Sequence, residues 1–169
     1  MRMKAELYIV GTGAHARKAY ECAVGSGWSV KAFVDRTADA LSPIDGMAVI
    51  AESEVLASAN PGVVFVAIGD SRARAAVAER FEAKGWQIPF LVHPKASVSR
   101  FAIIEGGVFV AAGAVIEAGT KVGQGAIVDI GVLLDHDCIV EPYAHLRSPA
   151  AVLPRSGIGE GFSPGKAAT

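Results

Sequence analysis

The chain has 169 residues, of which 51% are hydrophobic and 20% are charged, so the composition is that of a core-forming protein and not of a disordered one. With 16 basic and 17 acidic residues, the net charge of -1 gives no electrostatic reason to expect a nucleic acid or an anionic membrane as partner. The apolar runs are too short for a membrane span and the two cysteines lack a zinc-type spacing, so we expect no span, no metal and a reducing cytoplasm.

Strand and helix patterns alternate through the first half of the chain. Strands are predicted at Leu7–Val10, Val30–Val34, Met47–Ile50, Val63–Ile68 and Ile88–Val92, and helices at Ala16–Val24, Glu52–Ser58 and Ser71–Lys84. Val63–Ile68 is entirely apolar, as is typical of a parallel strand buried on both faces. The alternation predicts an α/β domain over residues 1–92, with a Rossmann-like parallel sheet and right-handed crossovers.

A glycine turn of the form G-x-G-x-x-A follows the first predicted strand and opens the first helix. Glycines let the backbone approach a phosphate, the helix N-terminus attracts its charge, and an acidic residue after the second strand can accept a ribose hydroxyl. The alternative is a glycine turn without a ligand. A dinucleotide is disfavoured, because the domain has room for only one mononucleotide half. The residues placed at the ligand are Gly11, Gly13, Ala14, His15, Asp35 and Arg36.

A second candidate segment, Ile68-Gly69-Asp70, ends the most apolar strand. Ligands of open α/β sheets bind at the carboxyl ends of strands, so Gly69 and Asp70 are expected to border the same crevice. The equally weighted alternative is a helix N-terminus capped by Asp70, with Arg72 and Arg74 in solvent.

After residue 92 the chain follows a period of six. Val, Ile or Leu stands at each of eleven successive sixth positions: Val98, Ile104, Val110, Ile116, Val122, Val128, Leu134, Val140, Leu146, Val152 and Ile158. Four residues further on, the side chains are small or β-branched except at Phe162: Ala102, Val108, Ala114, Thr120, Ala126, Val132, Cys138, Ala144, Ala150, Ser156 and Phe162. Three six-residue faces make a triangular coil, so residues 93–169 are predicted to form a left-handed parallel β-helix of hexapeptide repeats. Its turn conformations are expected from Gly113, Gly119, Gly123, Gly125 and Gly131.

The segment Asp135-His136-Asp137 lies within these repeats. Because Leu134 points inward in the six-residue frame, His136 and Asp137 are predicted on the outer surface near a corner. An imidazole beside a carboxylate is the usual arrangement of a general base whose tautomer is set by its partner. The alternative is a solvated polar turn.

With these motifs, the chain resembles the bacterial sugar O- and N-acyltransferases of the sialic-acid O-acetyltransferase type. That family includes N-acetyltransferases of UDP- or GDP-linked 4-amino-6-deoxy sugars. The resemblance covers nearly the whole chain and rests on the Gly11–Ala16 turn, Asp35, Ile68-Gly69-Asp70 with Arg74, His93-Pro94-x-Ala96, Val132–Cys138, and His145 with Ser148-Pro149.

The resemblance implies an acetyl-CoA-dependent sugar acetyltransferase of bacterial surface-polysaccharide biosynthesis. It implies a homotrimer, with acetyl-CoA in the groove between neighbouring β-helices. His136 would be the catalytic base and Asp137 the acid that supports it, while His145 and Ala144 would lie on the acetyl-CoA side. The nucleotide-linked sugar would bind to the glycine turn, Asp35 and the Gly69 loop.

Two features depart from the family pattern. Asp129-Ile130-Gly131 stands where the family has Asn and a small hydroxyl residue, and the repeats degrade from Pro154 onward where family members continue with further coils. The alternative hypothesis is therefore a catalytically impaired, nucleotide-sugar-binding trimer that lacks a complete CoA groove. An NAD-dependent protein is a third possibility.

Overall fold

The structure is a computed structural model that describes residues 6–159. The chain divides into two compact units, Met1–Pro89 and Phe90–Thr169, so the division comes three residues before the change of pattern in the sequence. Phe162 and the end of the last predicted repeat lie outside the described residues.

The first unit is a parallel sheet with helices, as the sequence predicts. Its strands are β1 (Glu6–Val10), β2 (Ser29–Asp35), β3 (Val49–Ala51) and β4 (Val64–Val66), and its helices are α1 (Ala14–Gly25), α2 (Glu52–Leu56) and α3 (Ser71–Glu82). The strand order is β3-β2-β1-β4, and each neighbouring pair is parallel. The predicted Rossmann-like fold class is confirmed for this unit.

Helix α3 shows how the sequence produces these elements. Asp70 caps its N-terminus, where the side chain accepts a hydrogen bond from the Ala73 amide at 2.8 Å. Arg74, Val77, Ala78 and Phe81 are its buried residues, and their spacing of three and four places them on one helical face. Burial of a side chain the size of Phe81 contributes about 2–3 kcal/mol, so this face holds the helix in place.

The strand order brings the predicted binding segments to one edge of the sheet. The glycine turn follows β1, Asp35 ends β2, and Gly69 comes shortly after β4. These three strands are adjacent, with β1 between the other two, and chain order reverses on the two sides of β1. A reversal of this kind opens a crevice at the carboxyl ends of the strands, where ligands of such sheets bind.

The second unit is a left-handed parallel β-helix, which confirms the second part of the predicted fold class. Its strands have two residues each: β5 (Leu91–Val92), β6 (Ser97–Val98), β7 (Ile103–Ile104), β8 (Phe109–Val110), β9 (Val115–Ile116), β10 (Lys121–Val122), β11 (Ile127–Val128), β12 (Leu133–Leu134), β13 (Ile139–Val140), β14 (His145–Leu146), β15 (Ala151–Val152) and β16 (Gly157–Ile158). They form three four-stranded parallel sheets, in which each strand pairs with the strand three further along the chain. Paired residues are 18 apart, as in Val115 with Leu133, so one coil spans 18 residues.

The core of the β-helix contains both sets of periodic side chains. Val122, Val128, Ala114 and Ala126 are fully buried, and they come from the first and fifth positions of the repeats. Each coil lies on the one before it, so the buried apolar stack is continuous and stabilises two-residue strands that would not persist alone.

Two sequence-based expectations of this region are wrong in detail. Leu91–Val92 pairs with Phe109–Val110 and is therefore the first strand of the β-helix, not part of a last strand of the α/β sheet. Gly123 does not have the positive φ of the turn glycines. It is required for close approach, because a Cβ there would lie 2.7 Å from the Pro142 backbone nitrogen and 2.8 Å from the Val140 carbonyl oxygen.

Candidate active site

The glycine turn at the end of β1 is shaped by contact with the neighbouring strand end. Gly11 has φ +110, and a Cβ there would lie 2.9 Å from the Ala67 carbonyl oxygen, so only glycine fits. Gly13 and Ala14 are exposed where α1 begins, and His15 is half-buried beside them. The exposed N-terminus of this 12-residue helix has no acidic residue in its first turn, which leaves it suited to an anionic ligand such as a phosphate.

Asp35 is tied to the glycine turn by Thr12, which is not among the site residues predicted from the sequence. The Thr12 hydroxyl donates a hydrogen bond of 2.5 Å to Asp35 Oδ2, and the Arg36 amide donates one of 2.7 Å to Oδ1. The two bonds orient the half-buried carboxylate and leave further lone pairs for a ligand hydroxyl. The sequence feature that could identify Thr12 is the position of a hydroxyl residue between the two glycines of the turn.

The Gly69 loop is held by an arginine from inside the protein. Arg74 is 1% exposed, and its Nη1 donates hydrogen bonds to the carbonyls of Ile68 at 2.8 Å and Gly69 at 2.9 Å. The expectation of a solvated side chain is therefore wrong for Arg74 but right for Arg72, which is exposed. Asp70 caps the N-terminus of α3, as the alternative prediction for this segment expects, so its carboxylate already has a structural role at this edge.

His136 and Asp137 lie on the outer surface of the β-helix, between β12 and β13. His136 Nδ1 is 2.8 Å from Asp137 Oδ2, and the two side chains are 46% and 55% exposed. Because a carboxylate can only accept, Nδ1 donates the proton, and Nε2 presents its lone pair away from Asp137. The arrangement is that of a general base that a substrate or a second chain can reach.

His145 has a partner on the preceding coil. Its Nε2 lies 3.9 Å from Asp129 Oδ2, and both side chains are 19% exposed. The pair arises because β14 lies beside β11, with His145 opposite Ile127. In the sequence, Asp129 stands out only as a departure from the family pattern, and the register between coils places it beside His145.

Ala144 has a different environment from the other predicted site residues. It is fully buried in the β-helix core, and its carbonyl accepts a hydrogen bond from the Ile127 amide at 2.8 Å. Any effect of Ala144 on a bound acyl donor would therefore be exerted through the neighbouring backbone.

The described residues contain no group of three or more His, Cys, Asp or Glu side chains placed to hold a metal ion. None of the helices found between residues 6 and 159 has the length and apolarity needed to cross a membrane.

Residues 6–81 match the family model of the PglD N-terminal domain. A histidine-to-asparagine variant of perosamine N-acetyltransferase from Caulobacter crescentus, solved with CoA and GDP-perosamine, is 28% identical over 92% of this chain and 83% of its own, with a TM-score of 0.82. PerB from the same organism, also with CoA and GDP-perosamine, is 29% identical over 91% of this chain and 77% of its own, with a TM-score of 0.80.

A third similar structure is the acetyltransferase domain of PglB from Neisseria gonorrhoeae in complex with acetyl coenzyme A. It is 29% identical over 92% of this chain and 85% of its own, with a TM-score of 0.76. No curated protein matches the chain in sequence. The resemblance inferred from the sequence motifs is confirmed: the chain has a PglD-type N-terminal domain over residues 6–81 and is similar in structure to hexapeptide-repeat sugar N-acetyltransferases.

Proposed function

We propose that the protein transfers an acetyl group from acetyl-CoA to the amine of a nucleotide-linked amino sugar. The similar Caulobacter crescentus proteins were solved with CoA and GDP-perosamine, and the similar Neisseria gonorrhoeae domain with acetyl coenzyme A. Both likenesses extend over more than nine-tenths of this chain, so they include the α/β unit and the β-helix. The observation that supports the chemistry most directly is the exposed His136–Asp137 pair.

His136 is the proposed general base. The sugar amine attacks the thioester carbonyl carbon, a C–N bond forms and the C–S bond breaks. His136 Nε2 accepts the proton that the nitrogen loses and returns it to the leaving sulfur, so that CoA departs as a thiol. Asp137 keeps the proton on Nδ1 and stabilises the imidazolium between these transfers, because its carboxylate lies 2.8 Å from that nitrogen.

The edge of the α/β sheet is the proposed nucleotide site. The exposed N-terminus of α1 is suited to the diphosphate, and the oriented carboxylate of Asp35 to a ribose hydroxyl. His145 is proposed on the acetyl-CoA side, with Ala144 contributing through the backbone. The proposed nucleotide-sugar residues are Gly11, Gly13, Ala14, His15, Asp35, Arg36, Gly69 and Asp70.

We further propose a homotrimer. Ile103, Leu133 and Ile139 are each about half exposed on outer faces of the β-helix, where a neighbouring β-helix would cover them. A groove between two such faces would bring acetyl-CoA to the exposed His136. The two cysteines are buried and form no disulfide with each other, which fits a reducing cytoplasm, and the sugar product fits surface-polysaccharide biosynthesis.

The direct test supplies the purified chain with acetyl-CoA and a panel of GDP-, UDP- and CMP-linked amino sugars, and measures release of the CoA thiol. We expect turnover with at least one amino sugar and a loss of about 10²-fold or more in kcat for His136→Asn. Unchanged turnover in that variant would refute the base assignment. Calorimetry with CoA and with the nucleotide sugars tests the alternative hypothesis of a catalytically impaired trimer. Nucleotide-sugar binding without CoA binding would favour a trimer that binds the sugar but does not transfer acetyl groups.

A further inference from the structure

The turn that contains the His136–Asp137 pair lies directly on Gly119 and Thr120 of the preceding coil. Asp137 is 18 residues after Gly119, so the two occupy the same corner of consecutive coils. A Cβ on Gly119 would overlap Asp137 Oδ1 and would lie 3.2 Å from its carboxyl carbon. The Asp137 carboxylate therefore lies between the Cα of Gly119 on one side and the His136 ring on the other.

The residue at this corner changes from glycine to aspartate between the two coils. Gly119 has φ +75, while Asp137 has φ +59, a left-handed conformation that residues with side chains rarely adopt. A carboxylate at this position projects from the turn toward the ring of His136, and it can do so because the residue beneath it is glycine. Left-handed strain at a side chain that contacts a reactive group is typical of functional sites.

Thr120 fixes the backbone of the same turn. Its side chain is fully buried, its hydroxyl donates to the Asp135 carbonyl at 2.8 Å, and the Cys138 amide donates to the same hydroxyl at 3.2 Å. One hydroxyl thus joins the two ends of the turn. Val108 and Val132, at the equivalent place in other repeats, are also fully buried without a hydroxyl, so the fold of a repeat does not require one there.

We propose that Gly119 and Thr120 are positioning residues of the acetyl transfer, which hold the Asp137 carboxylate against Nδ1 of His136. Gly119 provides the space for the carboxylate and Thr120 sets the turn that presents it. The inference rests on the proposed function, because it assigns the two residues an effect on that reaction through His136.

Gly119→Ala is the principal test, and Gly113→Ala is its matched control. Gly113 has φ +72, but a Cβ there would meet its nearest neighbours only at 3.9 Å, so both variants place alanine in a left-handed turn and only one displaces a carboxylate. We expect kcat to fall about tenfold in Gly119→Ala, the rate equivalent of a weak charge-assisted hydrogen bond, with the KM of both substrates little changed. Equal kcat in the two variants would overturn the proposal.

A double-mutant cycle separates positioning from general damage. In an Asp137→Gly background there is no carboxylate to displace, so Gly119→Ala should cause no further fall in kcat. A second loss of the same size in that background would mean that Gly119 does not act through Asp137.

For Thr120, valine is compared with serine. Thr120→Val keeps the shape and removes the hydroxyl, whereas Thr120→Ser keeps the hydroxyl. We expect the serine variant to retain kcat and the valine variant to lose it; equal kcat in the two would refute the role of the hydroxyl.

A measurement without turnover distinguishes failure of this inference from failure of the proposed function. The ring ¹⁵N chemical shifts of His136, at a pH where the imidazole is neutral, report which nitrogen has the proton. We expect the Nδ1–H tautomer to predominate in the native chain and in Gly113→Ala, and to lose population in Gly119→Ala and Thr120→Val. A tautomer unchanged in those variants would overturn the positioning role even if the native chain showed no acetyl transfer.

Discussion

Asp137→Gly should separate catalysis from stability in this β-helix. Asp137 has φ +59, which favours glycine by about 1 kcal/mol in the folded chain. Glycine costs about 0.5–1 kcal/mol through the greater freedom of the unfolded chain, so the net change in the free energy of unfolding should be within about 1 kcal/mol. Turnover should nevertheless fall, because the substitution removes the carboxylate 2.8 Å from His136 Nδ1.

The size of that fall follows from the exposure of the pair. A hydrogen bond to a charged group contributes about 1.5–3 kcal/mol. With side chains 46% and 55% exposed, solvent screening favours the lower end, which corresponds to about a tenfold loss of kcat.

Arg155→Gly is the matched control, since Arg155 has the same φ of +59 at the same corner one coil later and is exposed. Thermal unfolding and steady-state kinetics of both variants, with CoA release as the signal, make the comparison. Equal kcat in Asp137→Gly and Arg155→Gly would refute the role of the carboxylate. A loss of stability well above 1 kcal/mol in either variant would refute the strain argument.

Three further predictions concern the backbone that supports the two sites. Gly11→Ala should lower the free energy of unfolding, measured by urea denaturation, by at least about 2 kcal/mol, because its Cβ would lie 2.9 Å from a backbone carbonyl oxygen and φ is +110. Gly13→Ala is the control, since a Cβ at residue 13 would have no neighbour within 4 Å and should leave the free energy of unfolding unchanged. Equal losses in the two variants would contradict the close-approach argument. Arg74→Met should lower the free energy of unfolding by about 2–4 kcal/mol, since two loop carbonyls lose their donor. It should also weaken nucleotide-sugar binding measured by calorimetry. Unchanged affinity would show that the Gly69 loop is not part of the pocket. Gly123→Ala should lower the free energy of unfolding by about 1–3 kcal/mol, because the added Cβ would meet backbone atoms of the next coil. Gly157→Ala is the control: its Cβ would have no neighbour within 4 Å, so its melting temperature should equal that of the native chain.

The two fold classes were predictable because each depends on a repeated local pattern. An apolar strand such as Val63–Ile68 between helical segments indicates a parallel sheet whatever its exact neighbours. The period of six is stronger still, because each inward side chain stacks on its counterpart 18 residues away and must be aliphatic for the stack to remain dry. The same period extends back to Val92, six residues before Val98. Ile88–Val92 is nevertheless predicted as a strand of the α/β sheet, because an apolar run after a helix has the same pattern as one more strand.

The sites were predictable only in part. The outward position of His136 followed from the frame set by Leu134, and its exposure bears that out. The helical pattern predicts Arg74 in solvent, because nothing in that pattern shows that two loop carbonyls need an internal donor. Asp129 and Thr120 are separated in sequence from the histidines they influence, so their contacts depend on the pairing between coils.

By itself, the sequence determined the two kinds of fold, the glycine turn at the end of β1 and the His–Asp dipeptide on an outer face. These features follow from periodicity and local propensity, which act between residues close in the chain. Only the tertiary structure decided that the Asp137 carboxylate lies over Gly119, that Thr120 joins the ends of its turn and that Arg74 is buried. Such contacts are set by the register of stacked coils and by the internal demand for hydrogen-bond partners, and neither has a signature in any single stretch of sequence.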